Sequence, residues 1–286
     1  MHFIQRQNFT NSYKSNHTNI TMEIPSLGFG TWELTGDTCV KAVKTALATG
    51  YRHIDTAEIY RNETEVGQAI QKSNIPREEI FITSKAWQDG LNYDRVIKAC
   101  ELSLKRLQTN YIDLYLLHWP DKYLNMESIL KAFKHLKDEG KIKNFGISNC
   151  TIHHIKDFQE ITNKLELPIY NNQVEFHPLF YQKKLLDFCN QNNIKLTAYS
   201  PLGQGDVFKN STLINIAKSH NKNSGQVALK WLIQKGIIAI PRSRSESHIK
   251  NNFELDFILS EEDINTIDNI KIHERLVDPG FAEFDY

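Results

Sequence analysis

Four side chains in the first 120 residues could together protonate a carbonyl group: Asp55, Tyr60, Lys85 and His118. A tyrosine, with an ordinary pKa near 10, is a weak acid at neutral pH unless its phenolate is stabilised. A lysine ammonium close to the phenol oxygen supplies that stabilisation, and an aspartate can hold the lysine in place. A histidine can orient the carbonyl oxygen by a hydrogen bond. Such a set suits a carbonyl that receives a hydride, which a cofactor must supply.

The hydrophobic pattern indicates how the chain brings these residues together. From Ile24 onward, short apolar runs alternate with amphipathic stretches, as is typical of βα units around a parallel sheet. The predicted strands are 26–30, 52–55, 80–85, 112–118, 142–148, 169–175, 194–200 and 237–241. The predicted helices are 39–49, 63–73, 93–107, 127–139, 152–163, 183–192 and 224–235. This order predicts an α/β fold, a single-domain (β/α)₈ TIM barrel over residues 22–286.

Two other architectures compete with the barrel. A chain of 286 residues could hold two ordinary domains, but no Pro/Gly/Ser-rich linker and no shift in composition divides it. An open doubly wound sheet would place a G-x-G-x-x-G turn after the first strand. The first strand ends in Gly28-Phe29-Gly30-Thr31-Trp32, which lacks the third glycine. One closed barrel explains the pattern better.

Charge and cysteine content exclude several kinds of protein. The 34 basic and 34 acidic residues balance, which argues against a nucleic-acid partner. The apolar stretches are far shorter than a membrane span, so no membrane partner is expected. The four cysteines match neither a C-x-x-C metal pattern nor a dense disulfide framework. We therefore predict reduced thiols, a cytoplasmic location and no metal site.

Residues 1–21 are expected to be an N-terminal extension outside the barrel. They lack the apolar stretch of a secretory signal and are rich in Asn, Ser and Thr, a composition that cannot bury a core. The prediction is disorder; an organelle transit peptide is the alternative, disfavoured by the single arginine.

Polar residues occupy most of the predicted strand ends. In a barrel, chemistry belongs at the carboxyl ends of the strands, which converge on one mouth. Any one such residue could merely cap a helix or pack in the core. Together they predict a site, and they are Asp55, Lys85, His118, Ser148, Asn149, Gln173, Glu175, Tyr199, Ser200, Arg242 and Ser243.

Eight ordered motifs carry a family resemblance from about Glu23 to the end of the chain. They are GFGTW (28–32), GYRHIDTAEIY (50–60), ITSKAW (82–87), LYLLHWP (114–120), FGISN (145–149), NNQVEFHP (171–178), AYSPLG (198–203) and IPRS (240–243). The chain resembles the aldo-keto reductases, and among them the small bacterial 2,5-diketo-D-gluconate reductase type with its methylglyoxal-reducing members. The resemblance implies a (β/α)₈ barrel that binds NADPH without a Rossmann fold, reduces aldehydes and ketones, and is usually a monomer. Met22 precedes the first strand as the start does in the shortest relatives, so it is a candidate native start.

The resemblance also implies a role for each matching residue. Tyr60 is the general acid, Lys85 and Asp55 tune it, and His118 orients the carbonyl. The implied substrate-binding residues are Trp32, Tyr60, Trp87, His118 and Trp119. The implied cofactor-binding residues are Gly30, Thr31, Asp55, Ser148, Asn149, Gln173, Tyr199, Ser200, Pro201, Leu202, Gly203, Arg242, Ser243, Arg244, His248 and Asn252. Among these, Ser148, Asn149 and Gln173 bind the carboxamide, Tyr199 stacks on the nicotinamide ring, and Ser200 to Gly203 cover the pyrophosphate.

The segment after the last strand departs from the family pattern. Arg242 stands where many relatives have a lysine for the 2′-phosphate of the cofactor, and it is a competent phosphate donor. His248 stands where they have a second arginine, and a histidine is mostly uncharged at pH 7. Arg244 could restore that charge. NADPH is therefore the expected cofactor, with NADH not excluded.

A barrel of this kind could also have two other functions. Some relatives are non-catalytic, cofactor-sensing partner subunits, although all four catalytic residues are present here. A phosphate-handling barrel enzyme would explain Ser200, Gly203 and Arg242 but leaves Tyr60 and Lys85 without a role. The chain ends soon after Pro279, which predicts an open pocket for small polar carbonyls such as methylglyoxal or keto-sugar acids.

Overall fold

Strands and helices alternate along residues 22–286, the part of the chain that the computed structural model describes. The eight strands in this part are β1 (Phe29–Gly30), β2 (His53–Asp55), β3 (Phe81–Ala86), β4 (Ile112–Leu117), β5 (Ile142–Ser148), β6 (Ile169–Glu175), β7 (Lys195–Tyr199) and β8 (Ile238–Ala239). The ten α-helices of the same part are α1 (Gly36–Thr49), α2 (Glu63–Gln71), α3 (Tyr93–Leu107), α4 (Met126–Asp138), α5 (Ile152–Thr162), α6 (Lys183–Gln191), α7 (Ser211–Ser219), α8 (Ser224–Gln234), α9 (Glu246–Phe253) and α10 (Glu261–Asp268).

The sheet closes on itself into a barrel. Each strand pairs in parallel with the next one along the chain, from β1 to β8. Between β8 and the start of β1, Leu27 and Ala239 form a parallel bridge. The Gly28 N–H donates to the Ala239 carbonyl at 2.8 Å, and the Ala239 N–H donates to the Ser26 carbonyl at 2.9 Å. The predicted single-domain (β/α)₈ barrel is confirmed.

Helix α3 shows how local sequence produces the outer layer. The Asn92 side chain accepts a hydrogen bond from the Arg95 N–H at 3.0 Å and so satisfies a free donor at the helix start. Gln108 ends the helix in a left-handed conformation. Between them Val96, Cys100 and other residues at helical spacing form a buried stripe. This stripe faces β3, so the polar side of the helix faces solvent.

One end of the barrel is filled by apolar side chains. Phe81, Leu114 and Leu116 form a fully buried cluster, and Met22, Ile24 and Tyr170 pack against it. The chain before β1 thus covers the end at which the strands begin. The strand-end residues can therefore surround a cavity only at the opposite end, where the sequence places the polar groups.

Three helices of the described chain were not predicted from the sequence: α7, α9 and α10. They have only eight or nine residues each, and α10 buries Ile267 as its one fully buried residue. Such short helices carry little periodicity, and caps and packing stabilise them instead. For α10 the cap is Ser260, whose hydroxyl accepts from the Asp263 N–H at 3.1 Å.

Two sequence predictions concern the ends and surroundings of the fold. The extension predicted for residues 1–21 lies outside the described residues. From Met22 to Tyr286, none of the helices combines the length and the apolar character that a membrane crossing requires.

Candidate active site

A cavity of about 890 Å³ opens at the carboxyl ends of the strands. Of the site residues expected from the sequence, those that line it are Gly30, Trp32, Asp55, Tyr60, Trp87, His118, Trp119, Ser148, Asn149, Gln173, Tyr199, Ser200, Pro201, Leu202, Arg242 and His248. They come from all eight strand ends; at β3 the wall residue is Trp87, while Lys85 contacts the Tyr60 hydroxyl from outside the wall. Parallel strands thus bring residues more than 200 positions apart to one mouth.

The other expected residues do not form part of the cavity wall; they are Thr31, Lys85, Glu175, Gly203, Ser243, Arg244 and Asn252. Thr31 is buried, and its hydroxyl donates to the Asp55 carbonyl at 2.9 Å. Arg244 is exposed, while Asn252 is buried on α9. Thr31 therefore supports the end of β2 with its side chain.

The Lys85 ammonium connects two of the other candidate catalytic residues, Asp55 and Tyr60. Its Nζ donates to Asp55 Oδ1 at 2.7 Å, to the Thr56 carbonyl at 2.8 Å and to the Tyr60 hydroxyl at 3.3 Å. The register of the sheet causes this: Asp55 pairs with Thr83, and Lys85 lies two residues further along β3, on the same face of the sheet as Thr83. Tyr60 follows on a single 3₁₀ turn, Glu58–Tyr60, which ends at Arg61 in a left-handed conformation. The three donor–acceptor distances account for all three ammonium protons.

Burial decides the protonation state of Tyr60 in the resting site. Burial, with a further contribution from the Asp55 carboxylate, raises the pKa of Tyr60 well above its ordinary value. The sequence-based idea that Lys85 makes this phenol a stronger acid therefore does not hold for the resting site, because Asp55 offsets the lysine charge. Burial also lowers the pKa of Lys85, and Asp55 counteracts that effect. At neutral pH Tyr60 carries its proton and can donate it.

His118 is a neutral hydrogen-bonding group. Burial, reinforced by the Lys85 charge, lowers its pKa well below the ordinary value. Its Nδ1 atom is buried and finds no hydrogen-bond partner within residues 22–286. The ring lies 5.7 Å from that of Tyr60 and 5.3 Å from that of Trp87, measured between centroids. A carbonyl near Tyr60 would therefore meet an uncharged imidazole.

Amide and hydroxyl groups line the wall formed by β5, β6 and β7. Gln173 Nε2 donates to Asp55 Oδ2 at 2.7 Å, which connects this wall to the ion pair of Asp55 and Lys85. The Tyr199 hydroxyl donates to Asn149 Oδ1 at 2.8 Å, and Asn149 Nδ2 donates to the Ser148 hydroxyl at 3.1 Å. One hydroxyl and two carboxamides beside an aromatic ring suit a flat ring that carries a carboxamide. This donor set therefore fits a nicotinamide.

Strained backbone is concentrated at the cavity. Of the ten non-glycine residues with positive φ between Met22 and Tyr286, four line it: Glu33 (φ 59°), Asn149 (φ 61°), Ser200 (φ 47°) and Gln204 (φ 48°). Left-handed backbone at such residues costs free energy and often marks functional sites. At Gly30 the absence of a side chain is required, since a Cβ would lie 2.9 Å from the Ile240 carbonyl oxygen. A glycine at position 30 thus allows the chain at β1 to approach the chain that follows β8, and both contribute to the cavity wall.

Aromatic rings form the outer wall of the cavity. The centroid of Trp32 lies 4.7 Å from that of Tyr60. Phe281 packs edge-to-face against Trp87 at 6.0 Å and Trp119 at 5.3 Å. Tyr60 and His118 therefore face an apolar compartment.

The C-terminal segment, residues 276–286, encloses the cavity more than its short length predicts. Buried Glu175 at the end of β6 accepts hydrogen bonds from the N–H groups of Leu276 at 2.8 Å and Val277 at 2.9 Å. Burial raises the pKa of Glu175, but these bonds and one from His177 outweigh it, and the pKa lies below its usual value. Further along, the Glu283 carboxylate accepts from the Lys122 N–H at 3.2 Å. The stretch between these attachments crosses the cavity.

Sequence reasoning missed several residues of the cavity wall. These are Glu33, Ile59, Gln204, Gly205, Phe208, Ile240, Pro241, Leu276, Val277, Asp278, Pro279 and Phe281. A bulky aromatic residue in a polar tail was the available signal for Phe281. Of the described residues, the charged ones that line the cavity are Glu33, Asp55, Arg242 and Asp278, so carboxylates outnumber cations there.

Comparison with known proteins places this geometry among related chains. Residues 26–272 match the model of the Aldo/keto reductase family. The chain is 43% identical over 259 residues to a glyoxal reductase of Bacillus subtilis (strain 168), covering 89% of this chain and 92% of that protein. It is also 43% identical over 261 residues to a 9,11-endoperoxide prostaglandin H2 reductase of Trypanosoma cruzi (strain CL Brener), covering 90% of this chain and 91% of that one. Among solved structures, the aldo-keto reductase MGS-M4 from a Medee basin deep-sea metagenome library superposes with a TM-score of 0.88, at 43% identity and coverage of 93% and 97%.

Proposed function

This chain belongs to the aldo/keto reductase family, and from that premise we propose that it reduces small aldehydes and ketones to alcohols with NADPH, using Tyr60 as the general acid. The observation that carries the proposal is the Lys85 ammonium, which bridges Asp55 and the Tyr60 hydroxyl below an aromatic cavity. A barrel that only senses a cofactor has no need of this buried ion pair. A phosphate-handling enzyme would leave it without a role.

Each side chain has a distinct task in the proposed mechanism. Ser148, Asn149 and Gln173 would hold the carboxamide of the cofactor, with Tyr199 against its ring, and a bound reduced nicotinamide supplies the hydride. His118 donates a hydrogen bond to the carbonyl oxygen and so orients it.

As the carbonyl carbon gains the hydride, its oxygen takes the proton of the Tyr60 hydroxyl. The phenolate left behind is stabilised by the Lys85 ammonium, which already donates to that oxygen at 3.3 Å. Tyr60 then regains a proton from solvent. The Asp55 carboxylate is a positioning group, since it contacts Lys85 at 2.7 Å.

The charges of the cavity favour neutral substrates over keto-sugar acids. Lys85 is paired with Asp55, and Arg242 pairs with Glu33, so the cavity wall of the described chain offers no unpaired cation to a substrate carboxylate. A carboxylate on the substrate would lose hydration there without gaining a counterion. The similarity to a glyoxal reductase supports a small neutral dicarbonyl, such as methylglyoxal, as the substrate.

The proposal is tested by initial rates of NADPH and NADH oxidation with methylglyoxal, beside 2-keto-gluconate as the acidic comparison. We expect oxidation of NADPH with methylglyoxal and a kcat/KM at least about tenfold lower for the acid, since unfavourable burial of one charge readily exceeds 1.4 kcal/mol. Bound cofactor without turnover of any small carbonyl would contradict the proposal and favour the sensing role.

Replacing Phe281 by alanine tests the part that the C-terminal segment plays. Phe281 contacts Trp87 and Trp119, so its loss removes one wall for a substrate ring. We expect the KM for phenylglyoxal to rise about two- to tenfold, the value of an aromatic pair, while that for methylglyoxal changes by less than about twofold. Tyr123→Ala, an 86% exposed aromatic residue outside the cavity wall, is the matched control. Equal changes for both substrates would mean that Phe281 does not contact the substrate.

We further propose that the protein works as a monomer in the cytoplasm. Its four cysteines, Cys39, Cys100, Cys150 and Cys189, are buried free thiols. Burial raises the pKa of Cys39 and of Cys189 to about 12, which keeps these thiols unreactive. Such cysteines are compatible with a reducing compartment.

A further inference from the structure

Glu33 contacts both arginines at the end of the cavity formed by β1 and β8. Its carboxylate Oε2 lies 3.1 Å from Arg242 Nη2. Arg244 Nη2 donates to the Glu33 backbone carbonyl at 3.4 Å. Glu33 and Arg242 line the cavity, as does His248. A carboxylate thus lies against the side chain to which the proposed function assigns the 2′-phosphate of the cofactor.

A buried asparagine determines where Glu33 lies. Asn62 is fully buried, and its Nδ2 donates to the carbonyls of Thr31 at 2.7 Å and of Leu34 at 2.8 Å. The Leu34 N–H also donates to the Thr31 carbonyl at 3.0 Å, which closes a tight turn. Trp32 and Glu33 form the tip of this turn, and Glu33 takes the left-handed conformation there, with φ 59°. The turn therefore fixes the backbone from which the Glu33 side chain reaches Arg242.

Resting on the proposed function, we infer that Glu33 sets the cofactor preference of this enzyme by opposing a phosphate at Arg242 and accepting a ribose 2′-hydroxyl in its place. A 2′-phosphate must displace the Glu33 carboxylate from Arg242 or remain beside it, and either lowers its affinity. A neutral 2′-hydroxyl meets no such repulsion, and a carboxylate is a suitable acceptor for it, as in other dinucleotide sites. Glu33 therefore narrows the difference between the affinities of the enzyme for NADPH and for NADH.

Dissociation constants of NADP⁺ and NAD⁺ test this directly, because Trp32, Trp87 and Trp119 line the cavity and report binding by fluorescence quenching. For Glu33→Gln we expect the Kd of NADP⁺ to fall about three- to fivefold, the range of an exposed ion pair, and the Kd of NAD⁺ to stay the same or rise. The matched control is Glu127→Gln, which removes the same charge from an exposed pair with Lys131 on α4. It should leave both constants unchanged.

The effect of Glu33→Gln on the Kd of NADP⁺ must depend on Arg242. In an Arg242→Gln background, NADP⁺ binding weakens, and Glu33→Gln should then change the Kd of NADP⁺ by less than about twofold. Raising the salt concentration should reduce the effect of Glu33→Gln, because both side chains are partly exposed.

Three outcomes separate this inference from the proposed function. If wild type binds neither cofactor, the proposed function fails and the role of Glu33 fails with it. If it binds both and Glu33→Gln leaves the ratio of the two constants unchanged, only the role of Glu33 is overturned. A fall in the Kd of NADP⁺ on Glu33→Gln that persists without Arg242 would also overturn it, since the carboxylate would then act on the phosphate through another group.

Discussion

Replacing Tyr60 by phenylalanine is expected to lower kcat for methylglyoxal reduction by roughly 10²- to 10⁴-fold, the contribution of a positioned general acid. Phenylalanine keeps the ring that packs against Trp32 and His118 and removes only the hydroxyl. The Kd of NADP⁺ should therefore change by less than about twofold. Stopped-flow measurement of NADPH oxidation gives the rate, and fluorescence quenching gives the affinity.

The same residue predicts a shallow pH profile for reduction. Burial raises the pKa of Tyr60 well above 10, so the phenol keeps its proton below that pH. Burial lowers the pKa of His118 well below 6.5, so the imidazole is neutral above that pH. Between about pH 6.5 and 9 neither group changes its charge, and kcat should vary little.

Tyr123→Phe, which removes an exposed hydroxyl outside the cavity wall, is the control for Tyr60→Phe and should retain wild-type activity. A Tyr60→Phe enzyme with a kcat within tenfold of wild type would show that another group donates the proton.

Replacing Lys85 by methionine is expected to remove activity and to lower the free energy of unfolding by about 3–5 kcal/mol at pH 8, because a buried carboxylate loses its partner. The side chains of Lys85 and Asp55 are 0% and 3% exposed and lie 2.7 Å apart. Chemical denaturation followed by circular dichroism measures the change. Lys131→Met breaks an exposed pair with Glu127 and should cost at most about 1 kcal/mol.

The loss of stability in Lys85→Met should depend on pH in a definite direction. Burial already raises the pKa of Asp55, and Lys85 opposes that rise. Without Lys85 the folded-state pKa of Asp55 rises further above its unfolded value near 4. The folded variant then binds a proton that the unfolded chain releases, so the contribution of Asp55 to stability is most favourable below about pH 4 and is lost as pH rises through the folded pKa.

The destabilisation should therefore be smaller at pH 5 than at pH 8. The double variant Asp55→Asn, Lys85→Met should regain most of the stability at pH 8 but none of the activity. A Lys85→Met protein as stable as wild type at both pH values would mean that Asp55 is not charged in the folded state.

The sequence by itself determined the barrel and the order of its polar strand ends. β5 and β6 begin and end where predicted, and the other strands differ by a few residues at most. Alternating βα units are a local pattern, and parallel strands bring all their carboxyl ends to one mouth whatever the details of packing. Asp55, Tyr60 and His118 could therefore be assigned to one cavity before any distance was known.

Only the tertiary structure decided what depends on contacts between distant residues. Glu33 pairs with Arg242 across 209 positions, and Glu175 holds Leu276 across 101. No local sequence pattern indicates either pair. The first follows from the closure of the barrel between β1 and β8, and the second from the path of the C-terminal segment. The protonation state of Tyr60 is of the same kind: the sequence supplied the lysine that favours a phenolate, but burial and Asp55, set by the packing around the site, outweigh it.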